Sequence, residues 1–363
     1  MSLPDGFLEL PAEVYGDDPN WVPEDRDAVA ARFSERNPWF GSGSAQAFCI
    51  PGKARAAAFR ANDLEIDGEP AAFFGYWEST GDEEADRPLM DGVREWARDA
   101  GASRLYGPID FSTASDNRLR LWEQGGGARP LLDEPYNPTS YPRQLETLGM
   151  RVRYRYFRFV LDPDAIRALA ADERGALADA EAAGYRFDRL TPDVWFDRVA
   201  ELYELANLAF ADNFAFVPFT REQFEAHFDE TWAATLHPEL SVVVWGPDGD
   251  VASCMLAYPD YSPLAVQGAG DRRVPVQALN YREHASLLDP RHAYFKVGVV
   301  HPRHQRRAIA HAFMVEGARR ALDLEVAAIQ GGIIRDDNPS GRVWGRGTEW
   351  CERRWYALYS GEV

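Results

Sequence analysis

The sequence predicts a mixed α/β fold, with helices packed on a mixed sheet in an α+β arrangement, built as two similar modules in tandem. Short apolar segments with strand patterning alternate with amphipathic helical segments along the chain. Both halves repeat one order of elements: hairpin, strand, helix and strand. The length of 363 residues also agrees with two domains.

In the first half, apolar runs bounded by turn residues mark the strands. Pro51-Gly52 separates two short runs, which predicts a hairpin. We expect Pro88 to open a helix with apolar residues at spacings of three and four, and Gly101 to close it. The predicted strands of this half are Ala45–Ile50, Ala54–Arg60, Ala71–Ser79, Arg104–Gly107 and Val152–Leu161, the last of which alternates basic with apolar residues.

The second half follows residues 162–184, an Ala-rich and charged segment that predicts a linking helix. The expected division is therefore 1–161 for the N-terminal module, 162–184 for the linker and 185–363 for the C-terminal module. Asp248-Gly249 is a strong hairpin signal. The predicted helices are Pro192–Asn213, Phe219–Thr235 and Ala308–Leu322. The predicted strands are Ser241–Trp245, Val251–Tyr258, Tyr294–Val300, Glu325–Ile334 and Trp355–Tyr359.

Charge and composition exclude several classes of protein. Lys and Arg total 39 and Asp and Glu total 58, so the net charge is −19, which disfavours general binding to nucleic acid or an anionic membrane. No apolar run of about 18 residues and no secretory signal is visible. The three cysteines are too far apart for a disulfide framework or a zinc motif. We therefore expect a cytoplasmic protein without a membrane partner.

The segment Tyr294–Arg320 carries the clearest chemical signal. A strand runs to Pro302, a short basic loop follows, and an amphipathic helix begins. Small residues in the loop Gln305–Ala310 let consecutive N–H groups point at one spot, at the positive end of the helix dipole. Such a loop suits a pyrophosphate, and Arg306 and Arg307 add positive charge. An ordinary strand-to-helix turn with a solvated basic face is the alternative interpretation.

This loop resembles the coenzyme A motif of the GNAT acyltransferases, the GCN5-related N-acetyltransferase superfamily. In the pattern Gln/Arg-x-x-Gly-x-Gly/Ala, Gln305 matches the first position and Ala310 the last. Ala308 replaces the central glycine, and because alanine adopts helical φ/ψ we expect the fold to tolerate it. The resemblance implies acetyl-CoA or another coenzyme A thioester as co-substrate, and no metal. It assigns to coenzyme A the residues Val300, Gln305, Arg306, Arg307, Ala308, Ile309, Ala310 and Asn338.

The resemblance covers nearly the whole chain, in the form of bacterial tandem-GNAT proteins. The segments that carry it are Asn37–Phe40, Phe74–Glu78, Gly107-Pro108, Pro135–Asn137, Leu148–Met150, Asn213–Thr220 and Tyr258–Asp260. In such proteins often only one module binds coenzyme A. The matching place in the first half holds the acidic stretch Asp82–Asp86, whose carboxylates repel a pyrophosphate. We therefore expect a degenerate N-terminal module and a coenzyme A site in the C-terminal module.

Only part of the family's catalytic pattern is carried over. Asn338 looks like the family's Asn after the fifth strand. The family often places a tyrosine acid six residues later, where this chain has Trp344, and indole has no proton to give. The role of a general acid is therefore not transferred to that position.

The remaining candidates for catalysis lie on the strand Tyr294–Val300 and its neighbour. In the family fold, backbone N–H groups meet the acyl carbonyl where the fourth and fifth strands separate, which maps to Val299 and Val300. Alternation makes Tyr294 a candidate to face the acceptor. Asp260 ends a neighbouring strand and is a candidate base or amine-binding carboxylate. For both side chains a structural role is the alternative.

The predicted function is acyl-CoA-dependent N-acyl transfer, such as acetyl transfer, to an amine of a small molecule. A carrier-protein pantetheine arm or an aminoacyl-tRNA is an alternative donor, although the charge of −19 argues against tRNA. A hydroxyl is an alternative acceptor. A non-catalytic GNAT-like ligand-binding protein is the alternative from another class. His301 and His304 flank Pro302 without a third ligand at a helpful spacing, so no metal is expected.

Overall fold

The structure is a computed structural model that describes residues 2–113, 115, 117–122, 129–305, 308–338 and 351–363. The predicted site residues Arg306 and Arg307, and Trp344, lie outside these residues.

The strands are β1 (Gly43–Ile50), β2 (Ala54–Ala61), β3 (Glu65–Ile66), β4 (Glu69–Ser79), β5 (Arg104–Gly107), β6 (Leu119–Leu121), β7 (Arg151–Leu161), β8 (Arg186–Arg189), β9 (Val242–Trp245), β10 (Val251–Pro259), β11 (His292–Val300), β12 (Ala328–Gly331), β13 (Ile334–Arg335) and β14 (Glu352–Glu362). The helices are α1 (Leu10–Tyr15), α2 (Arg26–Arg32), α3 (Glu83–Asp99), α4 (Tyr141–Thr147), α5 (Pro163–Ala171), α6 (Ala176–Ala182), α7 (Pro192–Asp197), α8 (Val199–Phe210), α9 (Arg221–His227), α10 (Glu230–Ala233), α11 (Ser262–Ala265), α12 (Tyr281–His284) and α13 (Ile309–Asp323).

The described strands join in one mixed sheet, which confirms the predicted fold class. Its main path runs β1-β2-β4-β5-β14-β7-β12-β11-β10-β9-β8. Two neighbouring pairs on this path are parallel, β4 with β5 and β11 with β12. Each parallel pair is connected by one long helix, α3 or α13, because parallel neighbours need a crossover connection.

The two halves repeat the same unit, including an irregularity in the strand before each crossover helix. On β4, Gly75 and Glu78 face Ala57 and Arg55, so β4 has one residue more than β2 over this interval. On β11, Phe295 faces Ala257 and Val297 faces Leu256, so β11 has one residue more than β10 over this interval. Each extra residue is a bulge, which reverses the face to which the following side chains point.

At the centre of the sheet the halves exchange strands. β14, at the end of the chain, lies between β5 and β7, where Tyr359 faces Gly107 and Trp355 faces Phe157. β7 in turn pairs with β12 of the second half. The sheet is therefore continuous across residues 162–184, and the division into modules 1–161 and 185–363 stays a prediction.

Helices cover both faces of this sheet. On one face, α3 and α4 pack on the first half, and α5, α6 and α13 pack on the second. On the opposite face, α2 and the N-terminal segment cover the first half, and α7, α8 and α9 cover the second. On this opposite face, between the helices of the first half and those of the second, β7 and β14 carry buried arginines and tyrosines. The candidate site lies beside this polar centre.

Several helix boundaries differ from the sequence prediction for local reasons. The carboxylate of Asp82 accepts from the N–H of Glu84, so α3 begins at Glu83 and contains Pro88 instead of starting there. The segment 162–184 forms two helices, because Asp172 takes a left-handed conformation and its carboxylate then caps α6. The predicted helix over 219–235 is likewise split into α9 and α10. In the described part of the chain, no helix has the length and apolar run needed to cross a bilayer.

Candidate active site

The candidate site is built around the point where β11 and β12 separate. The two strands pair in parallel from His292 and Ala328 to Phe295 and Gly331. Beyond this point the described pairing of β11 is with β10 alone, so its other edge is open. Gly332 makes the departure of β12 possible, since a Cβ at this residue would lie 2.1 Å from the carbonyl oxygen of Lys296.

The direction of the backbone N–H groups decides which residues face the open edge. The N–H of His301 donates to the carbonyl oxygen of Ala252 on β10, at 2.9 Å. Because alternate N–H groups of a strand point to opposite edges, the N–H of Val299 also points toward β10. The N–H groups of Gly298 and Val300 point to the open edge. The geometry thus agrees with the role predicted for Val300. It directs the N–H of Val299 away from the open edge and adds the N–H of Gly298 there. The sequence did not show this, because the register of β11 on β10, which includes the bulge at Lys296, could not be read from it.

The predicted pyrophosphate loop leads into α13. Ala308 is the residue before the helix and has a left-handed conformation, with φ of 56°. Its predicted helical conformation is therefore wrong, and the glycine of the family motif matches a position where only glycine is unstrained. The N–H groups of His311 and Ala312 both donate to the carbonyl oxygen of Ala308. Those of Ile309 and Ala310 precede the helical ladder and are the donors that a helix start offers to an anion.

A buried histidine anchors the strand-to-helix loop. The Nδ1 atom of His304 lies 2.9 Å from the hydroxyl of Tyr185, and its Nε2 atom lies 3.1 Å from the carboxylate of Asp250. His301 accepts from the N–H of Arg303 through Nδ1. Both histidines therefore hold the loop itself. The described residues contain no group of three His, Cys, Asp or Glu side chains placed to hold a metal ion. Gln305, next in the chain, is exposed in an extended conformation.

Tyr294 lies on the sheet face opposite α13, immediately before the bulge. Phe295, its neighbour in the chain, packs in the core with α13, so alternation directs Tyr294 to the other face. The phenol of Tyr294 accepts a hydrogen bond from Arg158 at 3.3 Å. Burial raises the pKa of Tyr294 well above its ordinary value. The phenol therefore holds its proton more tightly than a free tyrosine does, so it can donate a hydrogen bond but cannot serve as a base.

Asp260 has a different environment from the one predicted for a base. One carboxylate oxygen accepts from the N–H and the hydroxyl of Ser262, and the other forms an ion pair with Arg129 at 2.8 Å. Both oxygens are thus occupied by contacts that hold the connection after β10. This arrangement favours a structural role, because three of the four lone pairs that the carboxylate offers are taken by contacts that hold the chain.

The connection between β6 and α4 also reaches the site, which the sequence did not indicate. Asp133 forms an ion pair with Lys296 at the bulge of β11, at 2.5 Å. Glu134, the next residue, is buried and binds Arg158 of β7. The alternating pattern of β7 predicted exposed basic residues, but Arg158 is fully buried because the strand is central and the connection covers it.

No family model matches the chain. A solved structure, a tandem GNAT protein from the clavulanic acid biosynthesis pathway, superposes with a TM-score of 0.52 at 15% identity and covers 98% of this chain and 94% of its own. This chain has the tandem GNAT fold.

Two curated proteins are similar in sequence. Protein YghO from Escherichia coli (strain K12) is 22% identical over 230 residues, which is 62% of this chain and 58% of that protein. The bacterial ceramide synthase of Caulobacter vibrioides (strain NA1000 / CB15N) is 23% identical over 224 residues, which is 60% of this chain and 57% of that protein. The matched region spans less than two thirds of either relative.

Within the tandem GNAT fold, the two crossover helices begin in opposite electrostatic environments. At α3, Asp82 caps the helix and forms an ion pair with Lys53, and Asp86 is buried and accepts from the hydroxyl of Ser79 at 2.6 Å. At α13, the first turn Ile309–Ala312 contains no acidic residue. The carboxylate of Asp82 accepts from an N–H that an anion would use, and Asp86 adds a carboxylate in the first turn, so the start of α13 is electrostatically the better place for an anion.

The fifth strand of the second half ends near the last predicted contact. Asn338 follows β13, and its N–H donates to the carbonyl oxygen of Arg335 at 3.0 Å. The segment that follows, with Pro339, Ser340 and Trp344, lies outside the described residues. The roles assigned to Gln305, Asn338 and the loop residues toward coenzyme A stay predictions.

Proposed function

We propose that this protein is a cytoplasmic N-acyltransferase that transfers an acyl group from an acyl-CoA to an amine of a small molecule. The observation that carries the proposal is the open edge of β11, which leads through one loop to the start of α13. An extended pantetheine arm can pair with a free strand edge, and a pyrophosphate suits a helix start without carboxylates. This continuous arrangement favours a coenzyme A thioester over a ligand that lacks the pantetheine arm or the pyrophosphate.

The chemistry requires few groups from the protein. The amine nitrogen attacks the thioester carbonyl, a C–N bond forms, the C–S bond breaks, and the amine loses a proton to water. The N–H groups of Gly298 and Val300 are positioned to bind along the edge of β11, and those of Ile309 and Ala310 to hold phosphate. The departing thiolate takes a proton from water, and Tyr294, which keeps its own proton, is the side chain we assign to orienting the acceptor by a hydrogen bond.

The named relatives are compatible with this reaction but do not identify the substrate. One is called a bacterial ceramide synthase, and ceramides are amides of fatty acids. Formation of an amide from an amine is the class of reaction proposed here. The experiments below therefore test which acyl group and which acceptor amine this protein uses.

Calorimetric titration with acetyl-CoA tests the donor site. We expect one binding site per chain, because the carboxylates of Asp82 and Asp86 occupy the start of α3. Arg307→Glu should weaken binding by about 1–3 kcal/mol, since it removes a cation that comes two residues before Ile309 in the sequence and adds repulsion. Arg272→Glu, an exposed site in the connection after β10, makes the same change in net charge and should leave affinity nearly unchanged.

Two outcomes contradict the proposal. Two equivalent sites per chain would show that the first half also binds the donor. Acetyl-CoA binding without turnover of any amine in a broad panel, including long-chain acyl donors, would support a ligand-binding protein instead of an enzyme.

A further inference from the structure

On the face opposite α13, two arginines stand directly across from each other at the centre of the sheet. Arg158 of β7 and Arg354 of β14 are register partners, and both side chains are buried. Like charges directly opposite each other are destabilising in a sheet. Glu134 relieves this repulsion, since its Oε2 atom lies 3.2 Å from Arg158 and 2.9 Å from Arg354.

Glu134 has little capacity left for other cations. Its Oε1 atom accepts from the hydroxyl of Tyr356 at 2.7 Å and lies 3.4 Å from Arg120. Its Oε2 atom also accepts from the N–H of Leu131. Three guanidinium groups therefore share this carboxylate. A buried cation needs a charged or hydrogen-bonding partner, so a further arginine at this place calls for another anion.

Arg118 is that further arginine. Its guanidinium lies over the ring of Tyr156 at 4.1 Å, and its electrostatic neighbours include the phenols of Tyr294 and Tyr356. Within the part of the chain that the structure describes, Arg118 forms no ion pair with a carboxylate, and its buried Nε atom has no hydrogen-bond partner. Burial lowers the pKa of Arg118, although the hydroxyl of Tyr156 opposes the shift.

A second group beside Tyr294 has the opposite charge. Asp133 binds Lys296 through one carboxylate oxygen, and among the described residues its other oxygen is buried without a hydrogen-bond partner. The phenol of Tyr294 binds Arg158, and Tyr294 comes two residues before Lys296, the partner of Asp133, on the same strand. This order matches a small molecule with an ammonium at one end and an oxyanion at the other.

We propose that Arg118, with Arg158 and the phenols of Tyr156 and Tyr294, binds an oxyanion carried by the acceptor amine, either a carboxylate or a phosphate. The acceptor part of this inference rests on the proposed function. The anion is held at the arginines while the amine end reaches past Tyr294 toward the bulge of β11. An acidic chain with a net charge of −19 would otherwise repel such an acceptor, so the site provides selectivity that the overall charge does not.

Anion binding is tested first without any acceptor. Inorganic phosphate is titrated at constant ionic strength, and the midpoint of thermal unfolding is measured for the wild type, Arg118→Gln, Arg118→Lys and the control Arg272→Gln. We expect saturable stabilisation of the wild type and the control, a dissociation constant about tenfold or more weaker in Arg118→Gln, and an intermediate value in Arg118→Lys. Equal phosphate responses in all four proteins overturn the anion site, and the folded Lys variant keeps the test valid if the Gln variant unfolds.

The acceptor class is tested with matched pairs of amines and a saturating acyl-CoA. β-Alanine is compared with its amide, and phosphoethanolamine with ethanolamine, which separates a carboxylate acceptor from a phosphate acceptor. We expect kcat/KM for one anionic member to exceed its neutral counterpart by about tenfold or more, and Arg118→Gln to remove that preference without changing acetyl-CoA affinity. Preference for the neutral amines overturns the inference and leaves the proposed function standing. Failure of every amine counts against the proposed function, while the phosphate titration still decides the anion site.

Discussion

The guanidinium of Arg129 lies 2.8 Å from the carboxylate of Asp260 and ties the connection before α4 to the end of β10. The two residues are 131 positions apart in the chain and belong to different halves. Together with the pairs Asp133–Lys296 and Glu134–Arg158, this contact holds the connection of the first half over the site of the second. The site is therefore shared by both halves of the chain.

Asp260→Asn is expected to lower stability and leave the proton chemistry unchanged. The carboxylate binds Arg129 and Ser262, so its loss should reduce the free energy of unfolding by about 1–2 kcal/mol, since Arg129 is partly exposed. The pH dependence of turnover should keep its shape. Urea unfolding and a pH–rate profile measure the two effects, with the exposed Asp271→Asn as the control. A loss of activity of about 10² or more at unchanged stability would restore the role of a base to Asp260.

Ala308 and Ala310 should respond oppositely to the same substitution. Ala308→Gly relieves a left-handed alanine and is expected to raise the free energy of unfolding by about 1 kcal/mol. Ala310→Gly lies in the first turn of α13 and should lower it by about 0.5–1 kcal/mol, because glycine loses more backbone entropy. Denaturant unfolding of both variants measures the difference. Equal destabilisation by both substitutions would contradict the conformation of Ala308.

Tyr294→Phe should reduce turnover while keeping the donor site. The phenol binds Arg158 and is assigned to orient the acceptor by a hydrogen bond, so its removal is expected to lower kcat/KM for the amine by about tenfold. The affinity for acetyl-CoA should not change. Tyr359→Phe is the matched control, because the buried hydroxyl of Tyr359 has no hydrogen-bond partner among the described residues. Full activity of Tyr294→Phe would remove Tyr294 from the acceptor site.

Glu78 makes a pH-dependent contribution to the stability of the first half. Burial raises its pKa from 4.5 to about 7, although Arg55 and the hydroxyl of Tyr141 oppose the shift. The folded protein thus holds this proton more tightly than the unfolded chain does. The contribution is fully present below about pH 4.5 and is lost as the pH rises to about 7. The free energy of unfolding of the wild type relative to Glu78→Gln should therefore fall across this interval, and a difference that stays constant from pH 4.5 to 7 would contradict the assignment.

Elements that depend on local patterns were predicted well. The hairpin across Asp248-Gly249, the strand ending at Val300 and the helix from Ile309 all lie close to their expected places. Their signals are a turn dipeptide and apolar periodicity, which act within a few residues. The resemblance to GNAT proteins was carried by the loop between this strand and this helix and by short segments of both halves, and the fold confirms it.

Features that depend on distant partners were not predicted. The direction of the Val299 N–H follows from the register in which β11 pairs with β10, a strand distant in the sequence. Asp260 looked free because its partner Arg129 is far away in the sequence. Arg158 looked exposed because an alternating pattern does not show that both faces of a strand are covered.

The sequence by itself determined that the chain folds as two repeated α/β units and that the first turn of the last long helix holds no carboxylate. Those properties follow from residue periodicity and from the absence of carboxylates in one helical turn. Both depend only on residues that are close together in the sequence. Only the tertiary structure decided that β14 lies between β5 and β7 and that Glu134 gathers Arg158 and Arg354 beside Tyr294. Burial and ion pairing are properties of groups brought together in space, and a strand exchanged across the middle of a sheet brings together residues whose sequence separation gives no sign of contact.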